Sequence, residues 1–200
     1  FHQSLEDVQS RLVEISELVT VAIDKATRAF GSSDVSLAEE VIDADLIIDQ
    51  KTVELDELAI EILARQQPVA RDLRIVVSAL RVSASLERMG DIAEHIAQLT
   101  RMRFPERAVP KGLKSTFSKM GQLDVEAARL LTELLRTIDL TITDRIRDLD
   151  DKEPSMPRTL APGQRSRIHV LDVDTGEDRV LHDSAEVLFE APNWTLDGEA

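Results

Sequence analysis

The 200-residue chain has no cysteine and no tyrosine, one tryptophan and only 3% aromatic residues. The missing cysteine removes disulfides, thiolate metal sites and cysteine nucleophiles together, which suits a reducing compartment. So few rings are ordinary in a helical protein and unusual in a β protein. No apolar run approaches the roughly 20 residues of a membrane span. The opening FHQSLEDVQ lacks the basic and apolar regions of a signal peptide, so a soluble, cytoplasmic chain is expected. Positive charge is also short. Basic residues number 24 against 38 acidic, a formal charge of -14, so the molecule as a whole repels nucleic acid and anionic membrane surfaces. No nucleophile triad, phosphate-binding glycine loop or zinc-protease helix motif is present, and no enzymatic activity is expected.

What is present is helical periodicity. From Leu5 to about Leu149, apolar residues recur at three and four positions, as in Leu12, Ile15, Leu18, Val19, Ala22, Ala26 and Phe30. Gly31 to Asp34 stops this first helix, and Asp34 or Ser36 can cap a second running through Leu37, Val41, Ile48, Leu55, Leu58 and Leu63. A third helix is expected to open near Pro68, since proline is tolerated in a first turn. It continues through Leu73, Val76, Leu80, Ala84, Ile92 and Ile96 to about Met102. Three such helices hide their stripes by packing as an antiparallel bundle.

After the connector 104–112 a fourth helix carries Phe117, Met120, Leu123, Ala127, Leu131 and Leu135. Shifting the chain by 105 residues lays Leu12 on Phe117, Ile15 on Met120, Ala22 on Ala127, Phe30 on Leu135, Asp34 on Asp139 and Asp45 on Asp150. This internal repeat predicts a second bundle like the first. The register fails at Glu153, and Asp49 falls on Pro154, which interrupts a helix interior. The expected organisation is a mainly α protein with a three-helix bundle over 1–103, a truncated second bundle over 104–152 and a β-rich tail over 153–200. The orphaned stripe on the fourth helix must then pack on the first bundle, on the tail, or on a second chain in a homodimer.

In the tail, Arg167 to Val173 alternates like a strand, Asp174 to Glu177 is turn chemistry, and Arg179 to His182 reads as the returning strand of a hairpin. Val187 to Phe189 offers a third strand.

Two acid pairs stand out. Asp45 and Asp49 are four residues apart on the second helix, and Glu87 and Asp91 on the third, so each pair shares a helix face. Stepping along Leu73, Val76, Leu80 and Ala84 lands on Glu87 and Asp91, in line with the expected buried stripe. Carboxylates there need a cation. One solution is a metal held by oxygen ligands from two helices; the other is arginine, with Arg74, Arg81 and Arg88 nearby. Gly90 within the helix points to close helix approach beside the acids.

The stretch Leu63-Ala64-Arg65-Gln66-Gln67-Pro68-Val69-Ala70-Arg71-Asp72-Leu73-Arg74, followed by Leu86-Glu87-Arg88-Met89-Gly90-Asp91, resembles the PhoU family of phosphate-transport regulators. The resemblance covers residues 1 to about 152 and implies the duplicated three-helix plan. It also implies that Asp45, Asp49, Glu87 and Asp91 bind iron, zinc or another divalent metal. In the second bundle only Asp150 of the equivalent motif is present. The function implied is regulatory: restraint of phosphate uptake and phosphate-starvation signalling through contact with the transporter's ATPase subunit and a sensor histidine kinase. The chain would then meet the membrane only through partners. Arg71, Asp72 and Arg74 belong either to a partner surface or to the bracing of a helix start.

Residues 168–177 and 191–198 are similar to one blade of the TolB-like β-propellers. A propeller takes at least about four blades, so no propeller function transfers. Met156 resembles the initiator of a second reading frame, which suggests two protein fragments joined between about 152 and 156. Two rival readings follow: a helical carboxylate metalloenzyme, and a non-functional chimera. The enzyme needs a histidine three residues after a glutamate on bundle helices. None of His2, His95, His169 and His182 meets that condition.

Overall fold

The computed structural model describes residues 2–66, 68–69, 71–109, 112–152, 166–171 and 178–184. The protein is mainly α and forms two compact units, Phe1–Pro154 and Ser155–Ala200. The first holds α1 (His2–Ser32), α2 (Val35–Gln66), α3 (Arg71–Arg103), α4 (Lys114–Thr137) and α5 (Ile142–Asp150). None of these helices is long and apolar enough to cross a membrane.

The chain reverses after α1 through Ser33, whose φ of 60° lies in the left-handed region. Asp34 then caps α2, its carboxylate accepting the Leu37 N–H at 3.0 Å. α3 opens at Arg71 rather than at Pro68. The Asp72 N–H donates to the Val69 carbonyl at 3.2 Å, so Pro68 and Val69 precede the helix, in the reversal between α2 and α3.

The three helices share one aliphatic core. From α1 come Ile15, Val19, Ala22, Ala26 and Ala29, from α2 Val41, Ile48, Leu55, Ala59 and Ile62, and from α3 Val76, Ala79, Leu86, Ala93 and Ala97. The stripes expected on α1 and α2 are the ones buried. On α3 the expectation needs correction: Ile92 is 50% exposed, and Leu73 and Ile96 also face solvent. The buried line runs instead through Val76, Ala79, Ser83, Leu86, Gly90, Ala93, Ala97 and Thr100. Small residues win because α3 lies close against both α1 and α2, and close approach selects alanine, serine and glycine over branched side chains.

α4 lies along α1, antiparallel to it. Leu131 and Leu135 reach the main core, and the Phe117 ring meets Phe30 edge-on with centroids 5.5 Å apart. Of the stripe for which sequence left three coverings open, Phe117, Leu131 and Leu135 lie against the first bundle, while Leu123 and Ala127 pack on the α5 side. At the middle of this seam the buried Ser16 and Thr132 hydroxyls are 2.7 Å apart. Gly121 and Thr27 also meet closely: a Cβ on Gly121 would stand 2.3 Å from Thr27 Cγ2. Adding 105 to Ser16 and Thr27 gives Gly121 and Thr132, so these two contacts are equivalents under the repeat. α5 folds back on α4, where Ile142 and Leu149 join Leu130 in a small separate cluster.

In the second unit β1 (Ser166–Leu171) and β2 (Asp178–Ser184) pair antiparallel. Ser166 stands opposite Ser184 and Leu171 opposite Asp178, with a register shift between Ile168 and His169. The expected third strand at 187–189, the segment around Trp194 and the junction at 153–156 lie outside the described residues.

Candidate metal centre

α2 and α3 bring together Asp45, Asp49 and Asp91, with one carboxylate oxygen of each within 4.8 Å of the others. The spacing does this directly. One turn of α2 separates Asp45 from Asp49, and Gly90 lets α3 come close enough to set Asp91 opposite them. A Cβ on Gly90 would lie 3.2 Å from Asp45 Oδ1 and 3.3 Å from the Ile48 side chain. All three carboxylates are half-buried.

Asp45 is the most constrained of them. Its Oδ1 is buried with no hydrogen-bond partner. Burial, followed by repulsion from Asp49, Glu94, Asp91 and Glu87, pushes its pKa up to about 6. Among the described residues no arginine, lysine or histidine forms an ion pair with Asp45, Asp49 or Asp91. Arg74, Arg81 and Arg88 all face solvent, so the arginine alternative is not the one adopted.

Glu87 is half-buried and contributes to the field at Asp45, but it stands outside the close group of three. Glu94 enters that field unforeseen. The available signal was that Glu87, Asp91 and Glu94 follow one helix face at four and three residues. His95 is exposed and not part of the group. Arg71 and Arg74 are exposed at the start of α3, and half-buried Asp72 sits in the first turn, where a negative charge suits the helix dipole. Asp150, the repeat equivalent of Asp45, is exposed beside a cleft of about 310 Å³ between α4 and α5. Among the described residues the Asp45 group is the one cluster of acids or histidines close enough to share an ion.

Three oxygen donors on two helices, with no cation paired to them among the described residues, fit a hard or borderline divalent cation. Such an ion would give Asp45 Oδ1 its missing partner and cancel the repulsion.

Comparison with known proteins agrees with the fold. The family model described as PhoU domain matches residues 12–100. The phosphate-specific transport system accessory protein PhoU homolog 2 of Mycobacterium tuberculosis is 35% identical over 160 residues, 80% of this chain and 75% of that protein. PhoU homolog 1 of Mycobacterium leprae is 34% identical, over 80% of this chain and 72% of its own length. Among solved structures, PhoU from Pseudomonas aeruginosa superposes with a TM-score of 0.71 at 29% identity, covering 76% of this chain and 72% of that one. The phosphate transport system regulatory protein PhoU from Streptococcus pneumoniae gives a TM-score of 0.67 at 25% identity, over 76% and 70% of the two chains. On helix order, packing and sequence alike, the chain belongs to the PhoU family.

Proposed function

We propose that this protein is a cytoplasmic accessory regulator of a phosphate transport system, a binding protein without catalysis. In this reading it restrains uptake and phosphate-starvation signalling by touching the transporter's ATPase subunit and a sensor histidine kinase. A divalent metal, iron or zinc among the options, braces α2 against α3. The relatives' names support the setting, since they are called accessory or regulatory proteins of phosphate transport. The observation that carries the metal is the unpartnered Oδ1 of Asp45 among acids, without a neighbouring cation.

Asp45, Asp49 and Asp91 would hold the ion, with Glu87 and Glu94 adding negative field. An all-carboxylate set favours hard ions, and iron or manganese suits it better than zinc, which favours nitrogen or sulfur. The metal's role is electrostatic: it removes the repulsion that otherwise opposes the approach of the two helices. Metal analysis after incubation with iron, manganese or zinc tests the site, with stoichiometric binding expected in wild type and none in Asp45→Asn with Asp91→Asn. Equal retention by both proteins would remove the metal from the proposal. Co-purification with the transporter's ATPase subunit and with the kinase tests the regulatory part, and capture of neither would refute it.

A further inference from the structure

The charge of -14 is not evenly spread. Residues 101–119 carry Arg101, Arg103, Arg107, Lys111, Lys114 and Lys119 against the single acid Glu106, so the acidic chain contains one strongly basic stretch. It spans the end of α3, the connector and the start of α4. Within it a cleft of about 270 Å³ opens against the end of α1, lined by Phe30, Ser32, Ser33, Arg107, Gly112 and Lys114, among others.

Several properties of this cleft favour a multiply charged anion. Arg107 and Lys114 are exposed, and among the described residues neither is in an ion pair. Among the described residues no acidic side chain lines the cleft. Gly112, with φ of 91°, leaves the connector without a Cβ beside the cavity. α4 begins at Lys114, on the edge of the cleft, and Leu113 before it gives no side-chain cap to the first N–H groups. The carbonyl end of α1 opposes an anion, but a partial charge is outweighed by two full ones. The volume exceeds that of one phosphate group and leaves room for a second or for an organic substituent.

We propose that this cleft binds a phosphate-type anion, held by Arg107 and Lys114, either as a free polyphosphate or phosphate ester or as a lipid head group. The site is separate from the acidic cluster and stands whether or not that cluster holds metal. Pyrophosphate is the soluble probe, titrated by calorimetry into the whole chain at low ionic strength with EDTA present, so that no ion at Asp45 captures it. Flotation with phosphatidylglycerol vesicles, against phosphatidylcholine vesicles, is the lipid arm. Saturable binding in either arm is expected, weakened at least about fivefold in R107E and in K114E, since each removes a charge-assisted contact. R81E makes the same change of net charge on an exposed stretch of α3, and its binding should stay within about twofold of wild type. Circular dichroism confirms that the variants fold. Pyrophosphate binding alone identifies a free anion and vesicle capture alone a head group; both outcomes support the site. No binding of either probe, or equal weakening by R81E, overturns it.

Discussion

Asp45 and Asp150 are the same residue under the internal repeat, yet one is an orphaned half-buried acid among four others and one is exposed. The difference is α3. Where a third helix closes on α2, its Gly90 and Asp91 turn an ordinary i,i+4 acid pair into a concentrated negative site. Where α5 has, among the described elements, α4 alone beside it, the aspartate borders an open cleft. To the burial and the Asp49 charge that already act on Asp45, the neighbouring helix adds its own acids, Glu94, Asp91 and Glu87.

The sharpest way to break that comparison is to remove core from each part. Leu55 is fully buried, and Leu55→Ala should cost about 3 kcal/mol in a denaturant melt. Ile146, only partly buried beside the small α4–α5 cluster, should cost about 1 kcal/mol as alanine. Equal losses would mean that the α4–α5 cluster contributes as much as the three-helix core.

Next in size is the seam. Gly121→Ala drives a Cβ against the β-branched Thr27 and should destabilise by about 2 kcal/mol. Gly90→Ala meets contacts of 3.2 to 3.3 Å. Its gain in helix propensity of about 1 kcal/mol offsets the crowding, so its effect should appear in metal binding rather than in the melt.

Asp45 gives a pH test. Its folded-state pKa of about 6 lies above the ordinary aspartate value of 3.8, so the native state binds more protons than the unfolded one between these values. The metal-free protein should therefore lose stability as pH rises from about 4 to about 6. Asp45→Asn should flatten that loss and raise the midpoint at pH 7, while Asp150→Asn should do neither. An unchanged pH profile in Asp45→Asn would show that the repulsion is relieved some other way.

The smallest effect compares two turns. Asp34→Ala should cost about 1 kcal/mol by removing a cap on α2. Its repeat equivalent Asp139 accepts from the Thr141 N–H at 3.0 Å and hydroxyl at 2.8 Å. These bonds lower its pKa, but they close a local turn rather than cap α5, so Asp139→Ala should melt closer to wild type.

Periodicity made α1 and α2 legible because each carries one clear aliphatic stripe; on α4 the expected Phe117, Met120, Leu123, Ala127, Leu131 and Leu135 are only half-buried, while Gly121, Val125, Ala128, Leu130 and Thr132 are buried. Periodicity also misread the face of α3, where branched residues such as Ile92 and Ile96 point outward while serine, glycine and alanine are buried. Close packing rewards small size over hydrophobicity, and a pattern of large apolar residues cannot show that. The acid pairs were visible by spacing. Placing them in line with a buried stripe was wrong by a fraction of a turn, which is why Asp91 is half-buried at the edge of the core and Glu87 stands outside the close group. The arginine alternative failed because the outward turn of Arg74, Arg81 and Arg88 depends on that same face.

The hydroxyl contact in the α1–α4 seam has a mechanical consequence. Ser16 and Thr132 are buried, and Thr20 reaches the same Thr132 oxygen at 3.2 Å. Sliding α4 along α1 by one turn, about 5.4 Å, would part these groups where water cannot readily replace the lost bond. Aliphatic surfaces alone would tolerate such a slip. The hydroxyls therefore mark one register of α4 on α1, favoured over a slipped one by the worth of a buried hydrogen bond, roughly 1 kcal/mol.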